Sequence, residues 1–494
     1  LPLVFLCAEN VWLFCVASFS LFTVLQKTPL MVLRWKKRRV LLLLMSVLCL
    51  MTTPSRGLAE QSTTPPAVFL RVRTCTLKNG VKVVVYENHR APVIMFSTCV
   101  YVGGADDPYG KMGVAHFAEH LMFRGTKTVS QDAFAWIMDN CGIQYNAVTS
   151  HEVTIFMELT PKEHLEQCMK LEADRLAHLN VSPENFEKEK LVVLEELKIS
   201  ASSDTEVLDS RARYNLFPNH PYGRDVIGLP KDVESLSWND VLDFYAMHYV
   251  AKNIVLVIVG DITLEKARCL AEKHYGHLSG PEPQERRWQK RESHQNNEET
   301  RIVKSSDQTQ QPVLTFYWYA PCFHKEQTLA AALELASKWL GRGKTSYLYR
   351  RLVEEQAVAS SVFCEAEVCR KEGGALVIQA IPCPNVSVET LEKQLRACLS
   401  QCAAENADSS RGATLQDLEN VKQKFAAAVP FILDKIDQVA ALLAYWLGAG
   451  YSPDFIDKYL KLIESVSLDV FRAALRNMGY PPEVVTILLP KEAK

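Results

Sequence analysis

From about Val68 onward the apolar positions of this chain fall into two periods. Residues 81–86 and 93–102 are runs of Val, Ile and aromatic side chains parted by the turn-prone stretch 87–90, and both predict strands. Apolar residues recurring three and four apart predict helices over 115–123, 131–140, 161–179 and 183–200, with a further strand at 153–159. Pro183 directly after Ser182 is the order of a helix cap and first turn. Residues 426–447, rich in Ala and Leu and interrupted by Pro430, predict a pair of buried helical pieces.

The same order of patterns occurs twice. The apolar run that follows Ala91 and Pro92 recurs after Gln311 and Pro312. The strand, proline and helix of 153–175 recur over 375–398, with Pro382 and Pro384 at the joint. Tyr249 followed by the run 254–259 recurs as Tyr480 followed by 484–489, and all three recurrences keep their order at an offset near 220 to 230 residues. The economical reading is an α+β protein of two related domains from an internal duplication, each a mainly antiparallel sheet covered by helices. Between them 281–303 is almost wholly polar and predicts an exposed, extended linker.

With 494 residues, 48% hydrophobic and 23% charged, the chain can bury a large core in more than one domain. Lys+Arg 55 against Asp+Glu 57 leaves a net charge of -2, without the basic field that nucleic-acid binding uses, so no nucleic-acid partner is expected. That charge is unevenly spread, because residues 1–59 hold seven Lys/Arg and one acid. Arg34, Lys36, Lys37, Arg38 and Arg39 precede the apolar run 40–51, and small residues follow up to Gly57 and Ala59. This order is that of a secretory signal, with the true start at Met31 and cleavage before Glu60. A periplasmic or secreted protein is expected, and an inner-membrane anchor through the long apolar stretch 3–26 is the alternative. Of fourteen cysteines three lie in this leader, and the rest form no CxxC pair and no small disulfide framework. They are read mostly as buried apolar fillers.

One group of chemistry-bearing residues stands out. His116, Glu119 and His120 form H-x-x-E-H on a predicted helix, where positions i, i+3 and i+4 share a face. Two imidazoles converging beside a carboxylate begin a zinc site, which needs three protein ligands and one open position. At this composition chance supplies about 0.03 such matches, so the motif is specific. His151, His164 and His178 have no partner at ligand spacing and are read as solvated or core side chains.

The segment resembles the pitrilysin/insulinase family of metallopeptidases, whose inverted zinc motif has this order. Resemblance implies a third ligand at Glu196, 76 residues after His120, and a supporting Glu189 seven residues before it. Glu195 is a rival ligand, disfavoured by that spacing. Further landmarks are Asn146, Ala147 and Thr149, similar to the family's edge strand beside which substrate lies extended. His220, Pro221, Tyr222 and Gly223, the stretch 253–261, and the second-half stretch 341–348 are also similar to the family. On this basis 60–280 is the catalytic metal-binding domain and 304–494 the related domain without a metal site. One Zn²⁺ per chain is implied, held by His116, His120 and Glu196, with Glu119 as general base, Glu189 orienting a ligand, and Asn146, Ala147 and Thr149 contacting substrate backbone. For Asn146 a turn-cap role remains an equal alternative.

One departure bears on function. Active single-chain relatives carry in the second half an Arg and, seven residues on, a Tyr that stabilise the tetrahedral intermediate. Val353 and Ser360 stand at the matching positions here. The expected function is thus a zinc metalloendopeptidase acting on peptides or unfolded polypeptides, as the metal-bearing subunit beside a homologous Arg/Tyr-bearing chain or a second copy of itself. Alternatives are the catalytic subunit of a presequence-processing peptidase, against which the apolar leader speaks, and a non-catalytic peptide-binding or scaffold subunit.

Overall fold

In the computed structural model, which describes residues 71–491 apart from 285, 287, 289–290, 292–298, 404–411 and 480, the strand patterns assemble into two sheets. The expected leader, secretory signal and start at Met31 lie outside the described residues. The first sheet contains β1 (Val72–Thr76), β2 (Lys82–Glu87), β3 (Val93–Val100), β4 (Gln144–Thr149), β5 (Thr154–Pro161) and β6 (Ile254–Gly260), in the spatial order β1-β2-β6-β3-β5-β4. Only β2 and β6 run parallel. Between and after these strands lie α1 (Val114–Leu121), α2 (Gln131–Asn140), α3 (Leu165–His178), α4 (Pro183–Ser202), α5 (Asp204–Leu216), α6 (Pro230–Ser235), α7 (Trp238–His248) and α8 (Leu264–Tyr275).

The second sheet contains β7 (Thr300–Ser306), β8 (Val313–Ala320), β9 (Ala359–Ala366), β10 (Gly374–Pro382) and β11 (Val484–Pro490), in the order β7-β11-β8-β10-β9. Its helices are α9 (Gln327–Gly341), α10 (Val388–Ala403), α11 (Leu415–Leu433), α12 (Ile436–Gly448), α13 (Phe455–Ser465) and α14 (Leu468–Gly479). Strand for strand this order repeats β2-β6-β3-β5-β4, and again one pair, β7 with β11, is parallel. The mixed α/β fold with two mostly antiparallel sheets therefore carries the same topology twice, with β1 as an added edge.

All seven residues of β6 are buried, which explains why its apolar run is continuous rather than alternating. The cover comes in part from the other half. Helix α12, from the second half, packs on β3 and β6, while α5, from the first, packs on β11 and β7. Leu216, Phe217 and Tyr222 thereby share a core with Tyr317, Ala375 and Val484.

Two expectations need correction. The helix expected to stop at Pro430 runs through it to Leu433, and the break falls at Asp434 and Lys435. A proline here costs one backbone bond near the helix end, and Pro430 sits on the exposed face, where that loss is cheapest. The segment 281–303 is neither wholly exposed nor wholly linker. Thr300 already belongs to β7, and Arg286 pairs with Asp106 at 2.9 Å while Trp288 packs edge-on to Tyr222. Among the described residues the cysteines form no disulfide, and most are buried as expected.

Candidate metal centre

Helix α1 is buried along all eight residues because it lies between β4, α4 and α7. Its start requires glycine: Gly113 has φ 93°, and a Cβ there would meet the Ile227 carbonyl oxygen at 2.5 Å. Asp107 caps the helix, its carboxylate accepting from the Gly113 and Ala115 N–H groups at 2.6 and 2.9 Å. Burial lifts Asp107 to about 8 despite those bonds.

Polar side chains on so buried a helix need partners. His116, Glu119 and His120 are 7%, 3% and 5% exposed. The Nε2 atoms of His116 and His120 lie 3.3 Å apart, and Glu196 Oε2 lies 3.4 Å from His120 Nε2 and 3.9 Å from His116 Nε2. One donor atom from each residue falls within 4.8 Å of the other two. A tetrahedral ion with bonds of about 2.0–2.1 Å separates its ligands by about 3.3 Å. Two imidazole nitrogens and one carboxylate oxygen at these separations fit zinc with only a small shift of Glu196.

Helix α4 supplies the carboxylates. Ser182 caps it, accepting the Asn185 N–H, and Phe186, Glu189, Val193 and Leu197 form its buried face. Glu196 adjoins that face, whereas Glu195 points to solvent, 64% exposed, and pairs with Lys198. Glu189 Oε1 accepts from His120 Nδ1 at 2.8 Å, and Arg124, one turn beyond His120, pairs with the other oxygen. This fixes the His120 ring with Nε2 facing Glu196 and His116.

The electrostatics follow from burial and these contacts. Burial alone would pull His120 down, but its bonds to Glu189 and Glu196 and the charge of Glu119 outweigh it and hold it at about 10. Burial drives His116 well below the ordinary imidazole value. Glu119 is pushed upward by burial, against the pull of His120 and of the Thr149 hydroxyl, which donates to its Oε2 at 2.6 Å. Glu189 is lowered, since the bonds from His120 and Arg124 overcome its own burial.

Strand β4 is the outer strand of its sheet, paired with β5 on one side and with no strand on the other among the described residues. Asn146 is exposed on it and accepts the Ala147 N–H at 2.9 Å, a local cap within the strand. Ala147 and Thr149 are buried, and Thr149 bonds Glu119. His151 is a core residue, bonded to the Arg224 carbonyl. In the second half Val353 lies in a π-helical turn, Tyr349–Glu355, and Ser360 is exposed on the edge strand β9. A cleft of about 1180 Å³ opens at the N-terminal end of α1, lined by Asp107, Lys111, Arg224, Arg286 and Lys371, and the metal-candidate residues are not in its lining. Sequence reasoning missed Arg124 and the Thr149–Glu119 bond. Arg124 follows His120 by four residues, a signal that was available; the bond joins residues 30 apart, for which no local pattern exists.

Comparison with known proteins adds kinship to this geometry. Residues 82–229 match the family described as Insulinase (Peptidase family M16), and residues 235–425 the one described as Peptidase M16 inactive domain. Zinc protease PqqE of Helicobacter pylori is 29% identical over 408 residues, covering 81% of this chain and 88% of that protein. A probable mitochondrial-processing peptidase subunit beta of Schizosaccharomyces pombe is 31% identical over 208 residues, 42% of this chain and 46% of that one. A solved protease structure from Helicobacter pylori has a TM-score of 0.76 at 25% identity, covering 85% of this chain and 100% of that chain.

Proposed function

Since the chain is a homologue of the zinc proteases of peptidase family M16, we propose that it is a zinc-dependent endopeptidase for peptides or unfolded polypeptides and the metal-bearing subunit of a two-chain assembly. One observation carries the proposal: the donor atoms of His116, His120 and Glu196 gather within 4.8 Å beside the buried Glu119 carboxylate. Zinc held by these three would supply Lewis acidity, polarising a scissile carbonyl and acidifying water.

The chain's own residues do the rest. Glu119 takes the proton from the attacking water and passes it to the leaving amine, the work of a general base and then acid. Thr149 fixes one oxygen of that carboxylate, and Glu189, braced by Arg124, fixes the His120 ring. The open edge of β4 offers backbone groups to an extended peptide, which favours broad side-chain tolerance. Val353 has no donor and the Ser360 hydroxyl is too short to replace a Tyr at the two positions matching the family's Arg and Tyr, and a homologous chain carrying that pair would supply the donors for the developing oxyanion. The leader directs the chain to the periplasm or outside, which N-terminal sequencing of the mature protein tests.

Glu119→Gln tests the proposal. Zinc content is expected to stay, while cleavage of an unstructured peptide by the assembled protein falls by about 10²–10⁴-fold. Cleavage at the wild-type rate in that variant would remove Glu119 from its role, and a scaffold subunit would become the better account.

A further inference from the structure

The connection between β4 and β5, residues 150–153, is a tight turn, and turns of this kind normally face water. Here His151 and Glu152 are each 6% exposed, because both side chains enter the boundary between the two halves. His151 Nε2 donates to the Arg224 carbonyl at 2.9 Å, which leaves Nδ1 as an acceptor facing Arg370 Nη1 at 3.5 Å. Glu152 Oε1 accepts the Lys371 N–H at 2.8 Å and the Tyr222 hydroxyl, while Arg286 donates to the Glu152 carbonyl at 2.7 Å. Arg370 in turn lies 3.6 Å from Glu367, whose carboxylate takes both ends of Arg213 at 2.7 and 3.0 Å. At the end of α12, Gly448 comes so near that a Cβ would meet Val153 Cβ at 2.6 Å. From the first half, the Gly104 and Ala105 N–H groups donate to the Ser150 and His151 carbonyls at 2.9 and 3.0 Å.

The turn is thus gripped from both halves, and the residue just before it is Thr149, whose hydroxyl holds Glu119. The metal-candidate residues come from α1 and α4 alone and do not touch the grip. We propose that Glu152 and Arg370, drawn from opposite halves, are positioning residues for Glu119: by fixing the 150–153 turn they set the Thr149 hydroxyl and, through it, the carboxylate that moves the proton. The inference rests on the reading of Glu119 as base. It gives the second half a part in the reaction that needs neither an Arg nor a Tyr at 353 and 360. A displacement of about 1 Å at a reacting group costs on the order of 10²-fold in rate, so a loosened turn reads out in kcat.

The experiment uses the full zinc-loaded chain with its Arg/Tyr-bearing partner and compares Glu152→Ala with Glu152→Gln, which keeps an acceptor for Lys371 and Tyr222. In Glu152→Ala zinc stoichiometry stays, kcat falls about 10- to 100-fold with KM within about twofold, amide exchange quickens at 149–153, and the Thr149 methyl resonance shifts. Glu152→Gln recovers most of kcat. Should Glu152→Ala fail to fold, Arg370→Lys, which keeps a cation opposite Glu367 but loses the reach to His151, is expected to give the same pattern in smaller measure. Equal losses in the Ala and Gln variants, loss of zinc, or unchanged kcat with an unchanged Thr149 resonance would overturn the proposal. If the wild-type assembly cleaves nothing, the functional reading is at fault. The Thr149 resonance in Glu152→Ala then still decides whether the grip sets that residue.

Discussion

Glu195 and Glu196 are neighbours in sequence with opposite surroundings. Glu196 Oε2 lies 3.4 Å from His120 Nε2, while Glu195 pairs with Lys198 in water. Glu196→Gln should weaken zinc binding by more than about 100-fold, exceeding the loss usual for a supporting residue, and Glu195→Gln should leave it within about twofold. Competition with a chromophoric chelator measures both. His151 makes a second residue-scale prediction. Burial first, and the Arg370 charge next, hold it at about 3, below the ordinary 6.5. The unfolded chain therefore binds the extra proton between those values, so stability is fully present above pH 6.5 and falls as pH drops through that window. By pH 4 the loss amounts to about 3 kcal/mol, and Glu367, held at about 2 against its own burial by Arg213 and Arg370, adds a loss of the same sign below about 4.5. Denaturant midpoints against pH should show the first loss shrink in His151→Gln.

At the scale of elements, what was legible in the sequence was what depends on near neighbours. The period of apolar residues marked β3 and α2 within two residues, and the doubled order of patterns anticipated the doubled strand order of the sheets. The face shared by His116, Glu119 and His120 could be read because helical spacing is local. What escaped was contact across the chain. Nothing near α5 or α12 reveals that each covers the other half's sheet, since an apolar stripe does not say what it packs on. Arg286 looked like a linker charge until Asp106, far away in sequence, gave it a partner. The buried pair Arg213–Glu367 is the clearest case, joining α5 to the turn after β9. Glu367 keeps Arg370 at 3.6 Å and Arg213 keeps Asp209 at 2.7 Å, so removing either partner alone should cost less than the roughly 3–5 kcal/mol of a wholly unpaired buried charge, and the loss in Arg213→Met with Glu367→Met should fall short of the two single losses summed. A double-mutant cycle in urea measures this, and additive losses would mean that the pair is not coupled.

For the whole molecule, the two halves are unequal copies. The first brings His116, His120 and Glu196 together with Glu189 behind His120, while the second has Val353 and Ser360 at the positions where the family resemblance implies an Arg and a Tyr. On the proposed function such a chain would depend on a partner for rate but not for metal. The most direct test is therefore the zinc content of the purified full-length chain by elemental analysis after exposure to zinc and removal of the excess. About one zinc per chain, lost in a variant lacking His116, is the predicted result, since a preformed site of two imidazoles and a carboxylate binds without a second subunit. No retained zinc under those conditions would contradict the metalloprotease account at its base.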